Sequence, residues 1–470
     1  MKTKISILLC AVLSLASPGL YAATHVVLPG QSIQATITAA SPGDQIIVKG
    51  GIYVESITID KNLDFRREAG TVVHINGNVT LSGITGAFTF AHFKIGSANN
   101  KTLTVTNCAD VYMEDVNATG GGGLSVSNSK VRGKHCWFST TGNITGATEF
   151  YFYDCSFGGN VSFTSSNWTM QECTANHISS TTSDTVVLRC NIADDILHQS
   201  GGDTNCTVFQ STVGDLIRSY AKRSWIGYNT SKRAQINGND AVEAEIVGNA
   251  FDMLNTSGEI ILLEAPNLVA DIRNNVVRRN WASPAKSGLY IRRGSKIRLH
   301  NNVFHRIYGH AIYVHPDTNV SEISGNFFAH IEWRAVEAPF NGVTCNYNWV
   351  YSRGFIDNPR YQGGVAAMNN LEGDPKFVAY SDNPNNSNTD YTLQGSSPLI
   401  NAGSQDPEFK DHDGTRQDIG IKGGHHFDAN GTTSSIPVVL SGNLSPIRIQ
   451  RGVTGTVNLN SRAVVSTPKQ

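Results

Sequence analysis

Seven short segments in the middle of the chain end alike, with an apolar residue followed by a side chain that can carry charge or hydrogen-bond. They read DILHQSG, DLIRSYA, RAQINGN, ILLEAPN, LYIRRGS, IYVHPDT and RAVEAPF. The apolar members are Leu197, Ile217, Ile236, Leu263, Ile291, Val314 and Val336, and the residues after them are His198, Arg218, Asn237, Glu264, Arg292, His315 and Glu337. Arginine can neutralise a carboxylate through its planar fork. Histidine can exchange a proton near neutral pH. Tyr290 and Tyr313, two residues earlier in their own segments, add flat faces on which sugar rings can stack. Together these residue types suit an extended polysaccharide, with His198, Asn237, Glu264, Tyr290, Tyr313 and Glu337 binding it. Arg292, Arg218 and His315 would carry any chemistry.

Such a row exists only if an element places the seven segments side by side. A repeat does this. Cys136, Cys155, Cys173 and Cys190 follow one another at 19, 18 and 17 residues, each after a polar residue. The same post-strand position then carries Asn229, Asn249, Asn275, Asn302, Asn326 and Asn348. Recurrence at this interval marks a solenoid. The repeats are short alternating runs rich in Val, Ile, Phe and Thr, broken by Gly, Asn and Pro, which is strand chemistry. Asparagines at one corner can stack as a ladder, each amide bonding to the next coil and holding a left-handed turn. The cysteines read as stacked buried thiols. The rival reading is bridges between neighbouring coils.

In a strand successive side chains point to opposite faces. With the apolar residue of each segment inward, the residue after it faces solvent. Coils stacked at about 4.8 Å then line the seven up in one outward column. The expectation depends on register, because a slip of one residue turns a side chain inward.

Before the repeat, QSIQATITAASPGDQIIVKGG places a short amphipathic helix at about Ile33 to Ala40. Ile33, Ile37 and Ala40 share one face, and Pro42 and Gly43 stop it. We read it as a cap over the first coil, where an open strand edge invites aggregation. This opening, with PGDQIIVKGGIYVESITI, resembles the start of right-handed parallel β-helix proteins of the pectate-lyase-like superfamily. GDPKFV, DYTLQGSSPLINAGS and KDHDGTRQDIGIKGG resemble their closing coil. The expected fold is therefore all-β, a right-handed parallel β-helix over 23–427 with a capping helix, followed by a β-rich tail at 428–470. Asp411, Asp413 and Asp418 are read as a structural turn rather than a calcium loop.

A closer local resemblance covers roughly residues 235–330. SGEIILLEAPNLVADIRNN followed by LYIRRGSKIRLHNN is similar to the central coils of the family containing chondroitinase B and alginate lyases. The resemblance puts Arg292 on a catalytic arginine, Glu259 on a calcium-ligand glutamate and Asn237 on an asparagine ligand, so it implies calcium as a cofactor. It also shows two departures. Glu264 occupies the position of a catalytic lysine, and Ser257 that of the second glutamate ligand. Elimination needs the substrate carboxylate neutralised and a base supplied. Here Arg292 or Arg218 would neutralise, and His315 or His198 would take the proton. The alternative is a non-catalytic carbohydrate-binding or surface protein. A glycoside hydrolase needs two carboxylates across the bond, and Glu264 and Glu337, three coils apart, are about 14 Å distant.

The remaining expectations come from composition. With 37 basic and 38 acidic residues in 470, the net charge is −1, which gives no reason to expect a nucleic-acid partner. MKTKISILLCAVLSLASPGLYAA begins with two lysines and an apolar run, the pattern of a secretory signal over residues 1–22. Nothing later is long and apolar enough to span a bilayer. The expected product is an exported monomer.

Overall fold

The structure, a computed structural model, describes residues 22–424 and the strands at 438–445 and 458–464. It leaves out 97–100, 119–122, 200–201, 254–257, 281–285, 317, 352–359, 382–388 and 412–413. The expected signal at 1–22 therefore lies almost wholly outside the described residues, as do Asp413 and Ser257.

The chain is an all-β parallel β-helix. A typical coil contributes three short strands, such as Leu103–Thr106, Asp110–Glu114 and Asn117–Ala118. Each strand pairs in parallel with its counterpart one coil on: Leu103 with Leu124, Val111 with Val131, Asn117 with Trp137. The first two rows of strands belong to one 26-stranded sheet, and the third forms a sheet of sixteen. We call these rows the first, second and third faces.

Alternation holds this shape. Within Asp110–Glu114, Val111 and Met113 are buried while their neighbours are half-exposed, and the same rhythm recurs in Leu124–Ser127 and Val161–Thr164. One apolar column runs through the coils, with Phe90, Phe93, Phe138, Phe150, Phe152 and Phe163 completely or nearly completely buried. Stacking one coil on another removes this apolar surface from water at about 25 cal/mol per Å². Few of these short strands could bury enough alone.

The corner between the second and third faces is set by a ladder. Asn249 receives the backbone N–H of Asn229 at 2.9 Å and its side-chain amide at 3.0 Å on Oδ1. The pattern repeats from Asn249 to Asn275, Asn302, Asn326, Asn348 and on to Asn370. The cysteines occupy the same rung in earlier coils: the N–H of Cys173 donates to Cys190 Sγ, that of Cys190 to Ser211 Oγ, and that of Ser211 to Asn229 Oδ1. All seven cysteines from Cys108 to Cys345 are free and buried, so the ladder of thiols is the observed one. The left-handed residue is not the ladder asparagine but the one before it: Tyr228, Asn274, Asn301, Tyr347 and Asn369 have φ between 54° and 58°, and glycine serves at 248 and 325.

The opening helix covers the first coil, and the closing segment packs on the third face. The helix is Ile33–Ala39, with Ser32 Oγ accepting from Ala35 N at 3.0 Å and Ile33 and Ile37 buried. Glu55, from the next coil, accepts the free N–H groups of Ile33 and Gln34, which a helix start leaves unpaired. At the other end, Phe377–Ala379 and Asp390–Leu393 form an antiparallel pair. Their Phe377 and Tyr391 pack with Leu399 and Ile419 against Val303, Phe327 and Trp349 of the third face. Asp411 holds the closing turn as a structural residue, its carboxylate accepting the N–H groups of Asp418 and Gly424. In the tail, Val438–Ser445 and Asn458–Val464 pair as antiparallel strands.

Candidate functional site

The pairing register places the seven expected residues in three positions rather than one. In the first face Ile196 pairs with Ile217, Leu197 with Arg218 and His198 with Ser219. Leu197 therefore faces outward and His198 inward. His198 is 0% exposed, and its Nε2 lies 3.0 Å from the Ser183 carbonyl. Burial pushes its pKa down. The cause of this correction lies in the sequence itself: Ile196 and Leu197 are both apolar, and Ile196 takes the inward slot. His198 is a core histidine with no access to a ligand.

The other six are not in one line. One outward row runs from Arg218 to Gln235, Leu262, Tyr290, Tyr313, Glu337 and Gln362. A second row, two residues further along each strand, starts with Asn237 opposite Glu264. It continues to Arg292, where the ladder bulges, and to His315 after Val314. Two residues of strand move a side chain by about 6.6 Å, so the expected single column is two parallel rows. Arg218 also lies three coils, about 14 Å, from Arg292 and cannot share a substrate carboxylate with it.

The rows differ in character. In the second, Glu264 Oε1 accepts from Arg292 at 2.7 Å while Glu264 Oε2 meets the Asn237 amide at 3.4 Å. The arginine side chain is 51% exposed, so this pair is a screened surface contact. In the first row, Arg218 donates to Gln235 Oε1 at 2.9 Å. The Tyr290 and Tyr313 rings meet edge to face at 5.3 Å. Burial and the neighbouring Tyr313 raise the Tyr290 pKa, so the Tyr290 ring stands as a neutral phenol at neutral pH.

Two residues that the strand-to-turn segments do not contain, His310 and Trp333, join this site from the turns entering the first face. His310 packs against Tyr313 at 5.4 Å and edge-on against Trp333 at 5.0 Å. Its Nε2 lies 3.4 Å from Glu337 Oε2, which Arg334 also engages at 2.6 Å. Burial pushes the His310 pKa down, and Glu337 opposes this. A signal for them existed in the sequence: GHAIYV and EWRAVEA place polar or aromatic residues before the strand. Matching the coils only by the turns that follow the strands passes over it.

The expected calcium pair is not brought together in the pairing register: Asn237 sits opposite Glu264, whereas Glu259 lies before the strand Ile261–Glu264. Glu259 instead faces Lys286 at 3.7 Å. A different group could hold a metal ion: ligand atoms of His177, Asp194 and Asp195 lie within 4.8 Å of one another at the corner before the first face. Asp195 is raised by burial and also receives the Leu216 N–H.

No helix among the described residues is long and apolar enough to cross a membrane. No family model matches the chain, and no curated protein does. Among solved structures, it is similar to tailspike protein 3 of bacteriophage CBA120, with 12% identity and a TM-score of 0.33 over 74% of this chain; the match spans 59% of the tailspike chain. It is also similar to pectate lyase Pel9A, with 15% identity and a TM-score of 0.22, covering 83% of this chain and 90% of that one. Neither likeness assigns a residue or a reaction to this chain.

Proposed function

We propose that this chain is an exported β-helix that engages an acidic polysaccharide along its first face and cleaves it by elimination. One observation supports the reading above the others: Arg218, Gln235, Tyr290, Tyr313 and Glu337 stand outward in register on one sheet face, with Arg292 and His315 beside them. A periodic track of hydrogen-bonding and aromatic groups fits a periodic polymer. In this reading Arg292 exchanges Glu264 for the substrate carboxylate and neutralises it. His315, on the next coil, takes the proton beside that carboxylate, and the electron pair released expels the glycosidic oxygen.

Calcium is not needed for this scheme. His177 enters the first face five coils before Arg292, and Asp194 and Asp195 four coils before it, about 19–24 Å away, so an ion there would brace the solenoid rather than the substrate. One imidazole with two carboxylates also suits a transition metal better than calcium, which wants six or more oxygens. Incubation with alginate, chondroitin and pectate, with and without calcium, tests the reading through ultraviolet absorbance of unsaturated chain ends. No new absorbance on any polymer would remove elimination.

A second reading, binding without cleavage, is favoured by the 2.7 Å contact between Arg292 and Glu264. A guanidinium already engaged by a carboxylate is a weaker electrophile, and Glu264 would repel an incoming uronate. Binding that persists in Arg292→Ala and His315→Ala variants, with no product from the wild type, would select this reading.

A further inference from the structure

Trp333 is 46% exposed, yet its ring is braced. It lies on the turn between the strands Phe327–Ile331 and Val336–Asn346, where its backbone N–H donates to the Gly309 carbonyl of the previous coil at 3.3 Å. The His310 ring meets it edge-on, at 77° and 5.0 Å. A large ring left partly in water with its edge held by His310 offers a flat apolar face to a ligand.

The polar groups beside it are mutually neutralised. Arg334 and Glu337 form a 2.6 Å pair. His310, 7% exposed, is kept neutral by its burial. Its Nδ1 is buried and has no hydrogen-bond partner among the described residues, a capacity the protein itself leaves unfilled. A sugar carboxylate entering here would have to take Arg334 from Glu337 and then sit against the Glu337 charge. An uncharged sugar avoids both costs, since its hydroxyls can donate to Glu337 and accept from Arg334 while its C–H face lies on the indole.

We propose that Trp333, with Glu337, Arg334 and His310 at its edge, is a subsite for an uncharged pyranose ring. This rests on the polysaccharide reading above and sharpens it. Arg292, two coils or about 10 Å back along the axis, is the place for an acidic ring. The polymer is then a mixed one, carrying both uncharged and acidic sugars, rather than a uronate homopolymer.

Calorimetric titration of the full chain with chondroitin oligosaccharides as the mixed probe and alginate oligosaccharides as the homopolymer tests this. Trp333→Ala is expected to weaken chondroitin binding about tenfold, the scale of one lost aromatic contact. Alginate binding should stay within twofold, and Trp333→Tyr should recover most of the loss. Arg292→Ala should weaken both probes. Because Trp333 is exposed, an unchanged melting curve for Trp333→Ala is the folding control. Equal losses on both probes, no loss on chondroitin, or wild-type binding to alginate alone would each overturn the subsite and leave the polysaccharide reading standing. A wild type that binds neither probe overturns both.

Discussion

His305 Nδ1 lies 2.8 Å from the hydroxyl of Tyr391, 86 residues further along the chain. Its Nε2 meets the Tyr380 hydroxyl at 3.2 Å. The imidazole thus fastens the closing segment to the third face, with the His330 ring tilted against it at 5.7 Å and Arg306 and Arg278 nearby. Burial, reinforced by these three neighbours, holds its pKa well below the ordinary value of 6.5. His198 and His310 are depressed by burial as well.

A consequence for pH follows from those three rings. Below about pH 6.5 the unfolded chain takes up protons that the native state refuses, so stability is complete above that pH and falls as pH drops. Each histidine can contribute a slope of up to about 1.4 kcal/mol per pH unit. Urea midpoints should hold steady from pH 8 to 7 and decline from pH 6.5 to 5. His305→Gln should flatten that decline, with amide exchange in 377–393 reporting the local opening. An unchanged midpoint down to pH 5 would contradict the assignment.

The asparagine ladder should be expensive to interrupt. Asn275 accepts from the backbone and side chain of Asn249, and its own amide donates to the Ile246 carbonyl and to Asn302. Asn275→Ala leaves buried groups unpaired on both neighbouring coils. Each such group costs about 1–3 kcal/mol, so a loss of about 3–5 kcal/mol is expected in equilibrium unfolding. A loss under about 1 kcal/mol would show that the ladder is ornamental to stability.

The thiols should be inert in the native protein. Burial and the neighbouring Cys155 hold Cys173 well above the ordinary thiol range, and burial pushes Cys206 up to about 12. Only the thiolate reacts with alkylating reagents. Iodoacetamide should leave the seven cysteines from Cys108 to Cys345 unmodified in buffer, and all seven should alkylate in denaturant without prior reduction. A residue modified at native pH 8, or one that needs reductant, would break the reading of a free, buried thiol ladder.

Glu264 restrains Arg292 more than it stabilises the fold. The pair is exposed, so Glu264→Gln should change stability by under about 1 kcal/mol. It should at the same time free the guanidinium and strengthen binding to polyuronates severalfold at low salt, with the gain shrinking as salt screens it. Unchanged affinity at low salt would mean that Arg292 does not face the ligand.

The amino-acid sequence determined the solenoid, because its signals are local and repeat. Alternating apolar residues, a helix of one face before the first coil, and Asn229 to Asn348 at a recurring corner each report their environment within a few neighbours. It also determined which side of the sheet most site residues occupy. Arg218, Glu264, Arg292, His315 and Glu337 point outward, since an apolar residue before each fixes the alternation. His198 and Asn237 are the exceptions: Ile196 and Leu197 compete for one inward slot, and Asn237 is buried at the start of its row.

Only the tertiary structure decided the register. Sliding a strand by two residues leaves every side chain on its own face, so hydrophobic patterning cannot distinguish the two pairings. Pairing Ile217 with Ala234 rather than Ile236, and Ile312 with Val336, moved Arg218 and Glu337 into the tyrosine row and left Arg292 with Glu264. The turns between faces decided the rest. They carry His310 and Trp333 to Tyr313 and Glu337, and a turn has no periodicity from which its neighbours one coil away can be read.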